Sequence, residues 1–188
     1  MIAAAALLLL AWASPASQPC PVDRAAMLAL PEGRFDQDLE GGWRALAAKP
    51  ECAAAAADLI AAYRAAHPDA SAMLKWHEGQ LRAEAGQAER AVRLFESSRK
   101  AGAAEGWNDY VDSTVAFLRH DRKALLAARA RLAARPRPAD WHPQDAQGRP
   151  LPLPWPPNLN VVDGLLHCFD RPYREAYSAC AAPIRLTR

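Results

Sequence analysis

Three tryptophans, Trp43, Trp76 and Trp107, recur at nearly even intervals in the low thirties, and each lies just upstream of an alanine-rich stretch that closes near a proline or glycine. A spacing of that size is the length of a helix pair with its turns. Such a pair cannot bury its apolar stripe alone and must stack on its neighbours, so the fold grows by repetition and offers a curved face rather than a deep cleft. The chain of 188 residues has room for one such domain.

Proline and glycine punctuate the rest. Asp23 caps a short helix through Leu30, which Pro31-Glu32-Gly33 ends. A first repeat helix over Asp36–Lys49 places Leu39, Trp43, Leu46 and Ala47 on one face, and Pro50 opens a second over Cys52–Ala66 that stops before Pro68. Asp69 or Ser71 caps the next helix, which carries Leu74, Trp76, Leu81 and Ala85 up to Gly86; its partner, Ala88–Lys100, turns Ala91, Val92, Leu94 and Phe95 toward it. A third pair follows as Trp107–Leu118, a His120-Asp121 turn, and Arg122–Ala134 closing at Pro136, with Leu125, Ala128 and Leu132 on one stripe.

In the central pair, Gly79, Gly86, Ala91 and Phe95 have the spacing of a small residue in one helix, an alanine in the next and an aromatic residue four later. This segment resembles the tetratricopeptide repeat. Ala124, Ala128 and Pro136 match a following copy less closely, because Asp112 stands where the family has a small residue, and Ala56, Ile60 and Pro68 trace a weak preceding copy. The resemblance covers 36–138 and implies a short all-α solenoid of antiparallel helix pairs. It also implies a concave, mildly acidic partner-binding groove of Asp38, Trp76, Gln80, Glu84, Asp109 and Ser113. That lining lacks the asparagine and basic residues that grip a peptide carboxylate, so a basic or an extended apolar peptide suits it. The rival reading makes Trp76 a core residue and leaves the acids in solvent. Gly79, Ala91 and Phe95 serve the scaffold, permitting helix approach and filling the gap.

The ends differ in kind. Residues 1–16 read as a secretory signal, an apolar run followed by small residues, with cleavage after Ala13 or Ala16. No lysine or arginine precedes Arg24, which leaves open an upstream start or a retained anchor; a membrane is a partner only if the segment is uncleaved. Ser17-Gln18-Pro19 lacks the small residues that precede a lipid-modified cysteine. Residues 17–35 form an N-terminal segment with one short helix.

Between Pro136 and Pro157 lie eight prolines, so 139–157 runs as irregular or polyproline-like chain. Its apolar end, Leu151 to Pro157 with Trp155, either straps across the protein's own helices or serves as an exposed ligand for a partner. Residues 158–188 then form a helical capping hairpin: Asn160 caps a helix through Phe169, and Asp170 caps a second carrying Tyr173, Tyr177 and Cys180 with Pro172 in its first turn.

Four cysteines, Cys20, Cys52, Cys168 and Cys180, lie beyond the expected cut, which points to two disulfides in an oxidising compartment. Of three pairings, the local ones are favoured, Cys20 with Cys52 and Cys168 with Cys180. If the latter two each end a full helix, helical rise separates them by about 13 Å, so the second helix must be short or splayed. No zinc spacing exists, and His167 beside Cys168 points away from it on a helix, against a catalytic thiol.

Charge divides near Arg119, with about −4 before it and about +6 from it onward, through Arg119, Arg122, Lys123, Arg129, Arg131, Arg135 and Arg137. The two halves are of opposite sign and suited to attract each other, and the basic helix is either a solvated face or a surface for an anionic partner; the modest net charge argues against nucleic acid. His77 with Glu78, the pair Asp109 and Asp112, and His167 form no recognisable catalytic set. The reading is an exported interaction module of the cell envelope, binding another protein or extended peptide, with no cofactor, metal or catalysis. The alternative is a helical cell-wall-cleaving enzyme with one catalytic glutamate, Glu78 or Glu84.

Overall fold

A computed structural model describes residues 20–102, 105–145 and 148–181. The expected signal, 1–16, lies outside them. Among the described residues there are ten α-helices packed in adjacent pairs and no strands, only an isolated antiparallel bridge between Gln144 and Pro150. The helices are α1 (Arg24–Leu28), α2 (Glu32–Asp36), α3 (Gly42–Ala47), α4 (Ala53–Ala66), α5 (Met73–Glu84), α6 (Ala88–Ser97), α7 (Trp107–Leu118), α8 (Arg122–Ala133), α9 (Leu159–His167) and α10 (Tyr173–Ser178). The tightest packing joins α4 with α5, α5 with α6, and α7 with α8; α9 lies on α7 and α8, and α10 on α9 and α5.

The expected helix over Asp36–Lys49 is broken. Here α2 ends at Asp36, and the chain turns through Gly41 before α3 starts at Gly42, whose φ of +52° is costly for a residue with a Cβ. A Cβ at Gly42 would overlap the Phe35 carbonyl oxygen, so this crossing of α2 and α3 requires glycine. Leu39 consequently leaves the apolar face and stands 80% exposed, while Asp36 turns inward and is 1% exposed. Pro31, expected only to end a helix, occupies the cap position of α2.

Other boundaries shift less. Asp23 caps α1 by accepting from the Ala26 amide, and Ser71 accepts from the Met73 amide at the start of α5. Helix α6 stops at Ser97 rather than Lys100, and Trp107 holds the following turn by donating to the Ser98 carbonyl. Asn158, in the left-handed region at φ +65°, precedes α9 in place of Asn160, and Pro172 rather than Asp170 occupies the cap of α10.

Two cores form. Phe35, Trp43, Leu46, Ile60, Tyr63 and Leu74 fill the first, around α2 to α5; Trp76, Phe95, Tyr110, Phe117, Leu125 and Leu165 belong to the second, which runs on into α9 and α10. The evenly spaced tryptophans are therefore not equivalent, since Trp43 serves one core and Trp76 and Trp107, 4.8 Å apart edge to face, serve the other. Of the scaffold residues, Gly79 lets α6 approach so closely that a Cβ would meet the Phe95 ring at 2.7 Å, and Ala91, Phe95 and Ala128 are buried. Gly86 turns the chain after α5 at φ +72°. Ala124 is exposed, with its amide capped by Asp121, and Pro136 is exposed beyond α8, so neither packs between helices.

The cysteines pair as Cys20–Cys52 and Cys168–Cys180. The second bond closes because α10 has only six residues, which brings its Cα atoms to 6.1 Å. Two disulfides indicate an oxidising, exported environment, and no helix among the described residues is long and apolar enough to cross a membrane.

Candidate functional site

The six groove residues do not form an open face. Trp76 is 3% exposed and packs against Phe95, Trp107 and Tyr110. Asp109 is buried and ion-paired to Arg131 at 2.9 Å and Arg135 at 2.7 Å, and Ser113, fully buried, donates its hydroxyl to the Asp109 carbonyl. Asp38 lies apart in the turn between α2 and α3, paired with Arg34. Gln80 and Glu84 remain half-buried, and above them sits α10. Tyr173 of α10 faces Phe95 and Phe117, Arg174 approaches Glu84 at 3.9 Å, and Phe169, Tyr173 and Ala176 join the second core. The face of α5 and α7 is thus covered by the chain's own C-terminal hairpin.

This cover is imperfectly matched to what lies beneath it. The buried Tyr173 hydroxyl makes no hydrogen bond of good geometry, although Gln80 and Glu84 are close enough to influence its ionisation. Burial pushes the Tyr173 and Tyr110 phenols well above their ordinary range. Burial also raises the Glu84 carboxyl, against the opposing pull of Arg174.

The proline-rich segment is not the cover. Trp155 donates to the Arg135 carbonyl at 2.8 Å, just past α8, and meets Trp141 edge to face, while Leu151 and Leu153 stand outside, 38% and 42% exposed.

A second polar site emerges at Asp36. Its carboxylate accepts from Trp43 Nε1 at 2.9 Å, His77 Nδ1 at 2.7 Å and Gln37 Nε2 at 2.5 Å, while its carbonyl accepts from Arg44 Nε, whose guanidinium stacks on Trp43. Burial alone would raise its pKa; the hydrogen bonds from His77 and Trp43 outweigh that and hold the carboxyl below its ordinary range. A linear pattern reading misses this site, because Asp36 looks like a helix start. The adjacent glycines, Gly41 and Gly42, are the signal that the chain doubles back there.

The remaining catalytic candidates are occupied. Glu78 accepts from Arg64 and from the fully buried Arg82, which also reaches Asp58 at 2.7 Å. Asp112 pairs with Arg99 and Arg131, and Cys168 is oxidised. Several arginines of the basic half meet acids: Arg119 reaches Glu96, Arg129 reaches Asp163, and Arg131 and Arg135 meet at Asp109, while Arg122 lies over the Phe169 ring. A cleft of 370 Å³ between α6, α7 and α8 is rimmed by these same pairs, with Arg99, Arg119 and Arg131 set against Glu96 and Asp112. Among the described residues no group of three or more metal-ligating side chains gathers. No family model, curated protein or solved structure matches the chain.

Proposed function

We infer that this chain is an exported, periplasmic or secreted, interaction module of the cell envelope, built from tetratricopeptide-like helix pairs with residues 1–16 as its secretory signal. The observation that carries the reading is the stack of adjacent helix pairs with a disulfide at each end. Repetition supplies a long, rigid surface, and the cross-links preserve it where no chaperoned cytosol does. The polar chemistry supports the same reading, since the acids and arginines of α6 to α8 lock helices to one another.

The test has two arms. Mass spectrometry of the exported full-length product is expected to find a mature N-terminus following Ala13 or Ala16. Photo-crosslinking residues placed at Gln80 and at Leu153 in the native compartment are expected to capture one defined envelope protein. Retention of the protein in the cytoplasm, or capture at neither position, overturns the reading. A second reading, the cell-wall-cleaving enzyme, draws on one observation, the raised Glu84 carboxyl of a would-be general acid. Release of soluble glycan fragments from cell wall, abolished by Glu84→Gln, would establish it in place of the first.

A further inference from the structure

Helix α10 has properties of a bound ligand as well as of a structural element. It is six residues long, too short to be helical without a surface to lie on. Its main anchor is the Tyr173 ring against Phe95 and Phe117, with the buried Ala176 and the half-buried Tyr177 beside it. Its polar contacts with α5 are loose: Arg174 approaches Glu84 at 3.9 Å, and the Tyr173 hydroxyl meets Gln80 without good geometry. It is tethered at one end by the Cys168–Cys180 bond and rests on α9 at Gly164, where a Cβ would meet the Ala176 carbonyl and the Ala181 backbone at 2.7–2.8 Å. The fit leaves a buried phenol without a proper partner and a half-buried carboxylate weakly matched. Buried polar groups are normally satisfied, so Gln80 and Glu84, the polar side chains of α5 beneath α10, keep recognition capacity that α10 does not fully use.

We propose that the face of α5 and α7 under α10 is a docking surface for a short helical segment of a partner protein, and that α10 is its resident, displaceable occupant. This rests on the interaction-module reading and specifies the site and its regulation. The partner segment follows from the template: an aromatic anchor in the place of Tyr173, and one turn away a lysine or arginine that reaches Glu84 more closely than Arg174 does. Tethering makes α10 a competitor at millimolar-order effective concentration. Partners lacking either feature are excluded, and loosening the tether raises affinity for those with both.

The probe is a fluorescein-labelled peptide of residues 170–181 with Cys180→Ser, titrated by anisotropy into the full chain. Wild type, Cys168→Ser/Cys180→Ser and Tyr173→Ala are compared, with far-UV circular dichroism on each. Both variants are expected to bind at least tenfold more tightly than wild type, and a peptide carrying Tyr173→Ala is expected not to bind. Hydrogen exchange on the unmodified protein supplies a readout independent of any variant's folding: α10 amides are expected to be at least a hundredfold less protected than those of α7, reporting local opening. Equal protection in α10 and α7, or no peptide binding by variants that keep their helical signal, overturns the proposal. If the envelope partner crosslinks equally to wild type and Tyr173→Ala, and only at Leu153, the docking surface is wrong and the module reading stands. If the peptide binds as expected and no partner is captured, α10 is displaceable without a competitor, and the docking surface falls together with the module reading.

Discussion

The two ends of the stack are both closed by a disulfide, yet they treat buried polar groups in opposite ways. At the N-terminal end Asp36 is nearly inaccessible and its oxygens are met by Trp43, His77 and Gln37, each within 2.9 Å. At the C-terminal end Tyr173 is also buried, and its hydroxyl meets only Gln80, without good geometry. A fully satisfied network fixes one arrangement, whereas a partly satisfied one leaves another arrangement within reach. The N-terminal end is thus a brace and the C-terminal end a latch.

The largest test of that contrast is removal of each cross-link. Cys20 and Cys52 are 32 residues apart and Cys168 and Cys180 are 12 apart; chain entropy gives losses of about 4 and about 3 kcal/mol respectively. Urea midpoints of the two double-serine variants should fall in that order, and a reversal would make the C-terminal hairpin the stronger constraint. Next comes Asp36→Asn, which turns an amide toward donors that need an acceptor and should cost about 2–3 kcal/mol. Asp38→Asn, two residues on, disturbs only a pair whose arginine is mostly in solvent and should cost at most about 0.5 kcal/mol. Similar losses at the two positions would dissolve the brace.

What was legible in the sequence follows the same division. The helices from Pro50 to Ala133 are marked by proline, glycine and capping residues, and local chemistry alone places them within a few residues. Asp36 was not legible as a buried site, because its partners come from the turn after it, from α3 and from α5, and only the glycines Gly41 and Gly42 hint at the reversal. Position within a repeat is all that marks the groove residues in the sequence. Position gives a helix face but not what later folds onto it, and here α9 and α10, beyond the repeat, return to cover that face. The arginines of α8 follow the same logic: their excess is visible in the sequence, but their partners Asp109, Asp112 and Asp163 are found only by folding.

A smaller effect tests the latch directly. Tyr173→Phe removes the poorly matched hydroxyl and keeps the ring against Phe95 and Phe117, so stability should hold or rise by up to about 1 kcal/mol. The corresponding deletion at the brace, Trp43→Phe, removes a hydrogen bond to a buried carboxylate and should lower stability. A loss in Tyr173→Phe matching that in Trp43→Phe would show that the phenol has a strong partner, and the latch would then be as well fitted as the brace.

The finest distinction is the sign of the pH dependence. The Asp36 carboxyl lies below its ordinary value near 4, so its contribution is fully present above about pH 4 and is lost as pH falls through the folded-state value. The Glu84 carboxyl lies above its ordinary value, so the folded protein takes up that proton before the unfolded chain does. Its ionised form opposes folding at neutral pH, and that opposition is relieved as pH falls through the folded-state value toward about 4.3. On acidification from neutrality the Glu84 contribution to stability therefore rises first, and the Asp36 contribution falls later. Urea midpoints of wild type and Glu84→Gln should converge in the first interval, with the variant ahead at pH 7. Those of wild type and Asp36→Asn should converge only below about pH 4. If the wild type leads Glu84→Gln at pH 7, the pair with Arg174 outweighs burial, and α10 is held by charge rather than merely resting on it.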